Sequence, residues 1–282
     1  MNFDYTKEPG RYLLNRGLRH DGVPLVSIIT PYYNAGKYFE QTFNCVMNQT
    51  FPWFEWIIVD DGSTDAESVS VLAHFAAKDD RIKTIRKENG GQAAARNEAI
   101  RRTTTPIIVP LDADDLIAPT FVGTLFYVLQ INPKAAWAYT DSVGFGAKEY
   151  VWRQPFSASR MRSENLLVCT AAIRKKWLEK VNGYDESERH YDEDWHLWLK
   201  LLAAGATPVH VNDILFWYRR RAEGMQQAVQ RDHKLCKAST EMIKKAAAIV
   251  DTSVTAIEYP RGSVPGGFCA PKISTWDRKV FK

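Results

Sequence analysis

The sequence predicts an α/β protein with a Rossmann-like, mainly parallel, doubly wound sheet flanked by helices. Three observations carry that expectation. From Leu25 to Leu129, short apolar runs alternate with longer stretches of helical periodicity, the repetition that a parallel sheet with crossover helices requires. Two of the runs stop at clustered carboxylates and a third feeds a glycine pair, which places the polar chemistry at the carboxyl edge, where open α/β sheets bind ligands. The chain of 282 residues is 45% hydrophobic and 25% charged, ordinary for a globular protein able to bury a full core.

Taken in order, residues 1–23 are polar and punctuated by glycines, and read as an arm. Leu25 to Thr30 is the first strand, with Pro31 ending it. Phe39, Phe43, Val46 and Met47 then fall at the spacing of one buried helical stripe. Phe54 to Val59 is the second strand and runs into Asp60-Asp61-Gly62-Ser63. A helix on Val69, Leu72, Phe75 and Ala76 and a strand over Ile82 to Arg86 follow. Gly90-Gly91 next opens an alanine-rich helix from Gln92 to about Arg101. The central strand is Ile107 to Leu111, a run too short for a helix and rich in β-branched residues, so buried on both faces.

Beyond Pro119 the pattern predicts a helix over Phe121 to Leu129, a strand over Ala136 to Thr140, and irregular chain over residues 141–165. Trp177 to Val181 continues helically until Asn182-Gly183. Trp195, Trp198, Leu199 and Leu202 give a strong helical face directly after the acidic run Asp192-Glu193-Asp194. Pro208 to Val211 reads as a last short strand, residues 225–250 as a helix, and the chain from Asp251 as a surface tail or a linker.

Composition narrows the partners. A net charge of +4 gives no reason to expect nucleic acid. The four cysteines have neither metal-like spacing nor a disulfide framework, which fits a reducing compartment. No stretch approaches the about 20 apolar residues of a membrane span, and the N-terminus lacks an apolar signal core. A cytoplasmic protein is expected, with peripheral contact at the inner face of a membrane left open. Nine tryptophans and twelve tyrosines are of the kind that line sugar or nucleotide sites, with packing the more ordinary explanation.

Asp112, Asp114 and Asp115 put three carboxylates in four positions. Like charges so close repel unless a cation or a set of donors sits among them, and a hard divalent ion, Mg²⁺ or Mn²⁺, is the economical answer. A solvated acidic turn with Asp115 capping the following helix is the alternative.

The segments SIITPYYN, WIIVDDGSTD, ENGGQAAARNEA, PLDADDLIAP, GYDES and DEDWHLWL occur in this order between Ser27 and Leu199. Together they closely resemble the family 2 glycosyltransferases, inverting enzymes with the GT-A fold that use nucleotide-sugar donors. The resemblance covers about two-thirds of the chain. It implies a GT-A domain over residues 24–221, with 24–119 binding the donor and 120–221 binding the acceptor and supplying the base. Residues 222–282 would be a helical C-terminal extension and tail. By resemblance, Asp112 and Asp114 form the metal and ribose-diphosphate site, with Asp114 the direct ligand and Asp112 acting through the ribose or a water; Asp115 reads as the cap of the next helix.

The same resemblance makes Asp61 the acceptor from the N3–H of a uracil, and puts Pro31 and Tyr33 at the start of the loop that meets the base. Arg96 is placed to approach the nucleotide, against a helix-surface salt bridge. Arg219, with Arg220 and Arg221, falls where relatives carry a loop that closes over the donor. One of these arginines would then clamp the diphosphate, although the YR-x-H pattern lacks its histidine here. Asp194, beside Glu193, takes the place of the catalytic base. The residues support that independently, because a carboxylate walled by indoles is desolvated and its pKa rises toward a useful value. Helix capping is the competing reading.

The expected activity is metal-dependent, inverting transfer from a nucleotide sugar, most simply a UDP-sugar, to a hydroxyl of a glycan or lipid-linked glycan acceptor. Thymine presents the same N3–H, so dTDP-sugars share the expectation, and GDP stays open. The rivals are a nucleotidyltransferase or metal-dependent hydrolase on the same carboxylates, and a catalytically silent nucleotide-sugar-binding module.

Overall fold

The computed structural model describes residues 23–187, 192–221 and 233–262. The amino-terminal half follows the expected alternation. It runs β1 (Val26–Tyr32), α1 (Gly36–Met47), β2 (Phe54–Asp60), α2 (Ala66–Ala76), β3 (Ile82–Arg86), α3 (Gln92–Arg102) and β4 (Ile107–Pro110). Then come β5 (Leu116–Ile117), α4 (Phe121–Ile131), β6 (Trp137–Gly146), β7 (Tyr150–Trp152), α5 (Ala158–Met161), β8 (Ala172–Arg174) and α6 (Lys175–Lys180). The remaining elements are α7 (Glu193–Ala203), β9 (Pro208–Arg220), α8 (His233–Ala248) and β10 (Ile257–Tyr259).

The ten strands among the described residues join one sheet, whose main path is β10-β9-β6-β8-β4-β1-β2-β3, with β5 beside β9 and β7 beside β6. Along that path only β8 runs against its neighbours; β1 pairs in parallel with β2 and β4, β2 with β3, and β6 with β9. The mainly parallel sheet is therefore present, and its two faces bury separate cores. Alternate residues of a strand point to opposite faces, so Val26 and Ile28 meet one core while Ile29 meets the other. Phe39 and Phe43 of α1, Phe75 of α2 and Leu125 of α4 fill the first. Ala95 and Ile100 of α3, Leu197 and Trp198 of α7, and Ile243 of α8 fill the second. Trp56, Trp137 and Trp198 are fully buried, and Trp137 stacks on Trp198 at 5.6 Å, so these indoles serve packing.

Several expectations are corrected. Pro31 does not end β1, which runs on to Tyr32 beside Asp60. Proline lacks the N–H a ladder needs, but Ile29 turns its carbonyl to Leu111 on the β4 side. Pro31 shares that parity, and the β1–β4 register stops at Ile29 and Pro110. The short strand expected over residues 208–211 is the first third of β9. Its register with β6 jumps from Thr140–Val211 to Asp141–Ile214 and again to Ser142–Phe216, so Asn212, Asp213 and then Leu215 are left out of the pairing, and the regular ladder resumes at Phe216.

The region expected to be irregular contains the end of β6, β7 and α5. Residues expected as a tail form β10, held by Glu258 against His210 at 2.8 Å and against Asn212 at 3.0 Å. Asp115 caps nothing: α4 starts after Thr120, and β5 intervenes. The expected arm up to residue 22, Met225 and Val229 of the expected C-terminal helix, and the chain beyond 262 lie outside the described residues.

Candidate active site

β1, β2 and β4 are parallel, so their carboxyl ends share one edge. β1 delivers buried Pro31 and then Tyr33, which is 50% exposed. β2 delivers Asp60 and Asp61. Asp60 stabilises its own loop, accepting from the Ser63 amide at 2.8 Å and from Arg86 at 2.7 Å. Asp61 reaches across to the start of α3. Its Oδ1 accepts from the Gly90 amide at 2.9 Å and from Lys87 Nζ at 2.8 Å, and its Oδ2 from the Gly91 amide at 2.7 Å. Gly91 adopts φ 91°, a region that favours glycine, and that turn aims both amides at the carboxylate. A carboxylate has about four acceptor positions; three are used, and one remains on Oδ2.

β4 delivers the acidic motif. Asp115 is fully buried. Its Oδ1 accepts from the Arg219 amide at 2.7 Å, while its Oδ2 is buried with no hydrogen-bond partner. Burial, then repulsion from Asp114 and Asp112, pushes its pKa well above the usual carboxylate range. Burial also raises Asp114, although Arg221 opposes the shift. Arg221 Nε donates to Asp114 Oδ2 at 2.6 Å and its Nη2 pairs with the same oxygen. Arg219 lies within β9 and not on a loop. It donates from Nε to the Asp114 carbonyl and from Nη2 to Gln41, each at 2.6 Å, with its guanidinium between the rings of Tyr38 and Phe145.

Two halves of the sheet edge meet at Arg96. This side chain is 1% exposed, donating to Asp112 Oδ1 at 2.6 Å and to Glu193 Oε1 at 2.7 Å. The motif after β4 is thus tied to the first turn of α7, not to a helix-surface partner. Burial pushes the Glu193 carboxyl up, and its Oε2 is buried without a hydrogen-bond partner. Asp194 is next. Its Oδ1 accepts from the Trp195 amide at 2.7 Å, and burial followed by repulsion from Glu193 pushes its pKa up to about 7. The side chain keeps some solvent contact, yet the protein around it is dense enough for desolvation to dominate.

These residues fit a divalent cation. Asp115 offers an unpartnered buried oxygen, and ligand atoms of Asp112, Asp115 and Cys169 lie within 4.8 Å of one another; Asp114, the direct ligand that the resemblance implies, stands outside that cluster, with its Oδ2 engaged by Arg221. A cation would offset the burial, and with it the repulsion from neighbouring carboxylates, that raises Asp114 and Asp115.

The family model "Glycosyl transferase family 2" matches residues 27–193, more than half of the chain. The chain belongs to that family. The family 2 chain is 28% identical over 263 residues to "Glycosyltransferase GlyG" of Streptococcus pneumoniae, covering 83% of this chain and 85% of GlyG. It is 45% identical over 93 residues, 33% of this chain and 36% of the relative, to "Putative teichuronic acid biosynthesis glycosyltransferase TuaG" of Bacillus subtilis. Among solved structures, S. aureus TarS in complex with UDP-GlcNAc superposes with a TM-score of 0.61 at 19% identity, over 72% of this chain and 60% of that one. That likeness establishes the GT-A fold. No helix among the described residues is long and apolar enough to cross a membrane.

Three site features escaped the sequence reading. Arg221 holds Asp114; the period of two that puts Arg219 and Arg221 on one side of the strand was the available signal, had β9 been read to its full length. Tyr184, whose ring lies 5.4 Å from the Arg96 guanidinium, stood in the GYDES segment without a role assigned to it, and Cys169, 3.6 Å from Asp112 Oδ2, carried no local signal.

Proposed function

We propose that this glycosyltransferase moves a sugar from a UDP-sugar to a hydroxyl of a glycan or lipid-linked glycan, with inversion, and that Asp194 is the base. The observation that supports this best is the Asp194 carboxylate, raised to about 7 and joined through Glu193 and Arg96 to the Asp112 motif. A base must be ionised at working pH yet avid for a proton, and a pKa near neutrality satisfies both. In an inverting transfer, Asp194 takes the acceptor hydroxyl's proton as that oxygen attacks the anomeric carbon. The C–O bond to the diphosphate breaks on the opposite face, and the bond's electron pair leaves with the diphosphate.

The remaining position on Asp61 Oδ2 suits the N3–H of uracil, and half-exposed Tyr33 is free to lie against the base. Asp112 and Asp114, with Asp115 behind them, would hold Mn²⁺ or Mg²⁺. When bound, that ion neutralises charge developing on the leaving diphosphate. Glu193 orients Arg96 and so positions Asp112. Arg219 braces the acidic motif; its donors leave Arg221 as the better candidate to reach a phosphate. Residues 24–119 then serve the donor and 120–221 the acceptor. The teichuronic acid assignment of TuaG favours a role in surface polysaccharide assembly.

A panel of UDP-, dTDP- and GDP-sugars, with and without Mn²⁺, tests the reading by thermal shift and by acceptor-dependent nucleotide release. UDP-sugars with Mn²⁺ should stabilise the protein most, and release should need an acceptor. Triphosphate consumption, or donor hydrolysis indifferent to acceptor, would favour the hydrolase or nucleotidyltransferase; binding without turnover would favour a silent module.

A further inference from the structure

Arg221 occupies the carboxylate that the proposed function gives to the metal. Both contacting nitrogens of its guanidinium converge on Asp114 Oδ2. The Asp114 side chain is 12% exposed and that of Arg221 41%, so the carboxylate is covered and its partner sits on the open side. Arg221 lies one residue beyond β9, whose ladder with β6 ends at Arg220 opposite Gly146. Its neighbour Arg219 donates within the protein through its amide, Nε and Nη2, and the Arg221 guanidinium lies 5.7 Å from the Tyr38 ring. Of the two arginines on this face, one braces the motif from inside the sheet and the other closes it from the end.

A divalent ion that needs Asp114 therefore meets a ligand oxygen already in use and a positive charge beside it. Like charges repel strongly where water is partly excluded. An ion arriving with a diphosphate meets a different balance, because phosphate oxygens accept a guanidinium fork in two parallel hydrogen bonds. Those oxygens also place negative charge between the two cations. Asp114 loses its arginine and gains the metal, while Arg221 exchanges one carboxylate for a phosphate.

We propose that Arg221 is a counter-ion gate: it neutralises Asp114 while the donor is absent and yields it only to a metal that comes with a nucleoside diphosphate. The gate rests on the reading of Asp114 as a metal ligand. It makes metal and nucleotide bind as one unit, and because coupling is reciprocal each must raise the affinity for the other by the same factor.

The test measures Mn²⁺ binding directly, by the electron paramagnetic resonance signal of free Mn²⁺, on the parent protein and on Arg221→Gln, each with and without saturating UDP. The parent should bind Mn²⁺ weakly alone and at least about tenfold more tightly with UDP. Arg221→Gln should bind Mn²⁺ alone at least about tenfold more tightly than the parent does, and should gain less from UDP. If Arg221→Gln binds Mn²⁺ alone no better than the parent, while the parent still binds Mn²⁺ with UDP, the gate is wrong and the metal reading stands. If the parent binds no Mn²⁺ even with UDP, both fail.

Discussion

Replacing Asp194 by asparagine removes a charge and one proton acceptor while keeping the shape, so it separates chemistry from scaffolding. In the folded protein the carboxyl is raised from an ordinary 3.8 to about 7, which corresponds to about 4 kcal/mol at full ionisation. That figure is an upper bound, since the side chain keeps some contact with water. The sign follows from linkage. A folded pKa above the unfolded one means that the native state holds a proton the unfolded chain has released. The stability this provides is complete below the unfolded pKa near 4 and is lost as pH rises through about 7. Asparagine never ionises and escapes that loss. Measured by urea denaturation without added metal, Asp194→Asn should therefore be more stable than the parent at pH 8. Its advantage there should exceed its advantage at pH 5 by roughly 2–3 kcal/mol. Turnover should move the other way, falling on the order of 10²–10⁴, while the parent's turnover climbs with pH through about 7. A helix-capping role would leave turnover intact, because asparagine caps as well as aspartate. Near-parental turnover, or a stability gain that does not grow with pH, would refute the assignment and move the search to Asp192 or Glu193.

Further expectations concern the residues around it. Asp114→Ala should abolish Mn²⁺-dependent donor binding by calorimetry, with little loss of fold stability because it relieves repulsion within the motif; unchanged Mn²⁺ dependence would remove Asp114 from the site. Asp61→Asn should weaken UDP binding by roughly 1–3 kcal/mol. It also disturbs the turn at Gly90 and Gly91, so an N3-methylated uridine nucleotide tested on the parent isolates base recognition, and equal affinity for methylated and normal nucleotides would exclude Asp61 from it. Arg96→Met should strand Asp112 and Glu193 and cost roughly 3–5 kcal/mol at pH 8. The cost should shrink at pH 5, where raised carboxyls such as Glu193 take up protons; a pH-independent loss would mean that packing, not charge, is what Arg96 provides.

The amino-terminal half was legible because its signals are local. Phe39, Phe43 and Val46 share a stripe, Ile107 to Val109 make an uninterrupted buried run, and the carboxylates stand where the strands end. The second half resisted for a physical reason. Asp141 looks like the start of a loop, yet it is buried in β6 because His210 at 2.9 Å and Arg153 at 3.0 Å neutralise it. Asn212 and Asp213 look like a turn, yet a bulge absorbs them and β9 continues for seven more residues, to Arg220. Polar residues whose partners lie far away in sequence cannot be told from exposed ones by period alone. The same limit hid the site's wiring. Arg96 was visible as a basic residue near the donor, but its bridge spans partners 16 and 97 positions away. The capping role expected of Asp115 ignored β5, two residues long and below what periodicity detects.

The stereochemistry of the product tests the central account most directly. A single displacement assisted by one carboxylate must invert the anomeric centre, so the α-linked UDP-sugar that the donor panel identifies should give a β-linked product by proton NMR of the isolated glycoside. An α-linked product would contradict single-displacement transfer with Asp194 as the base.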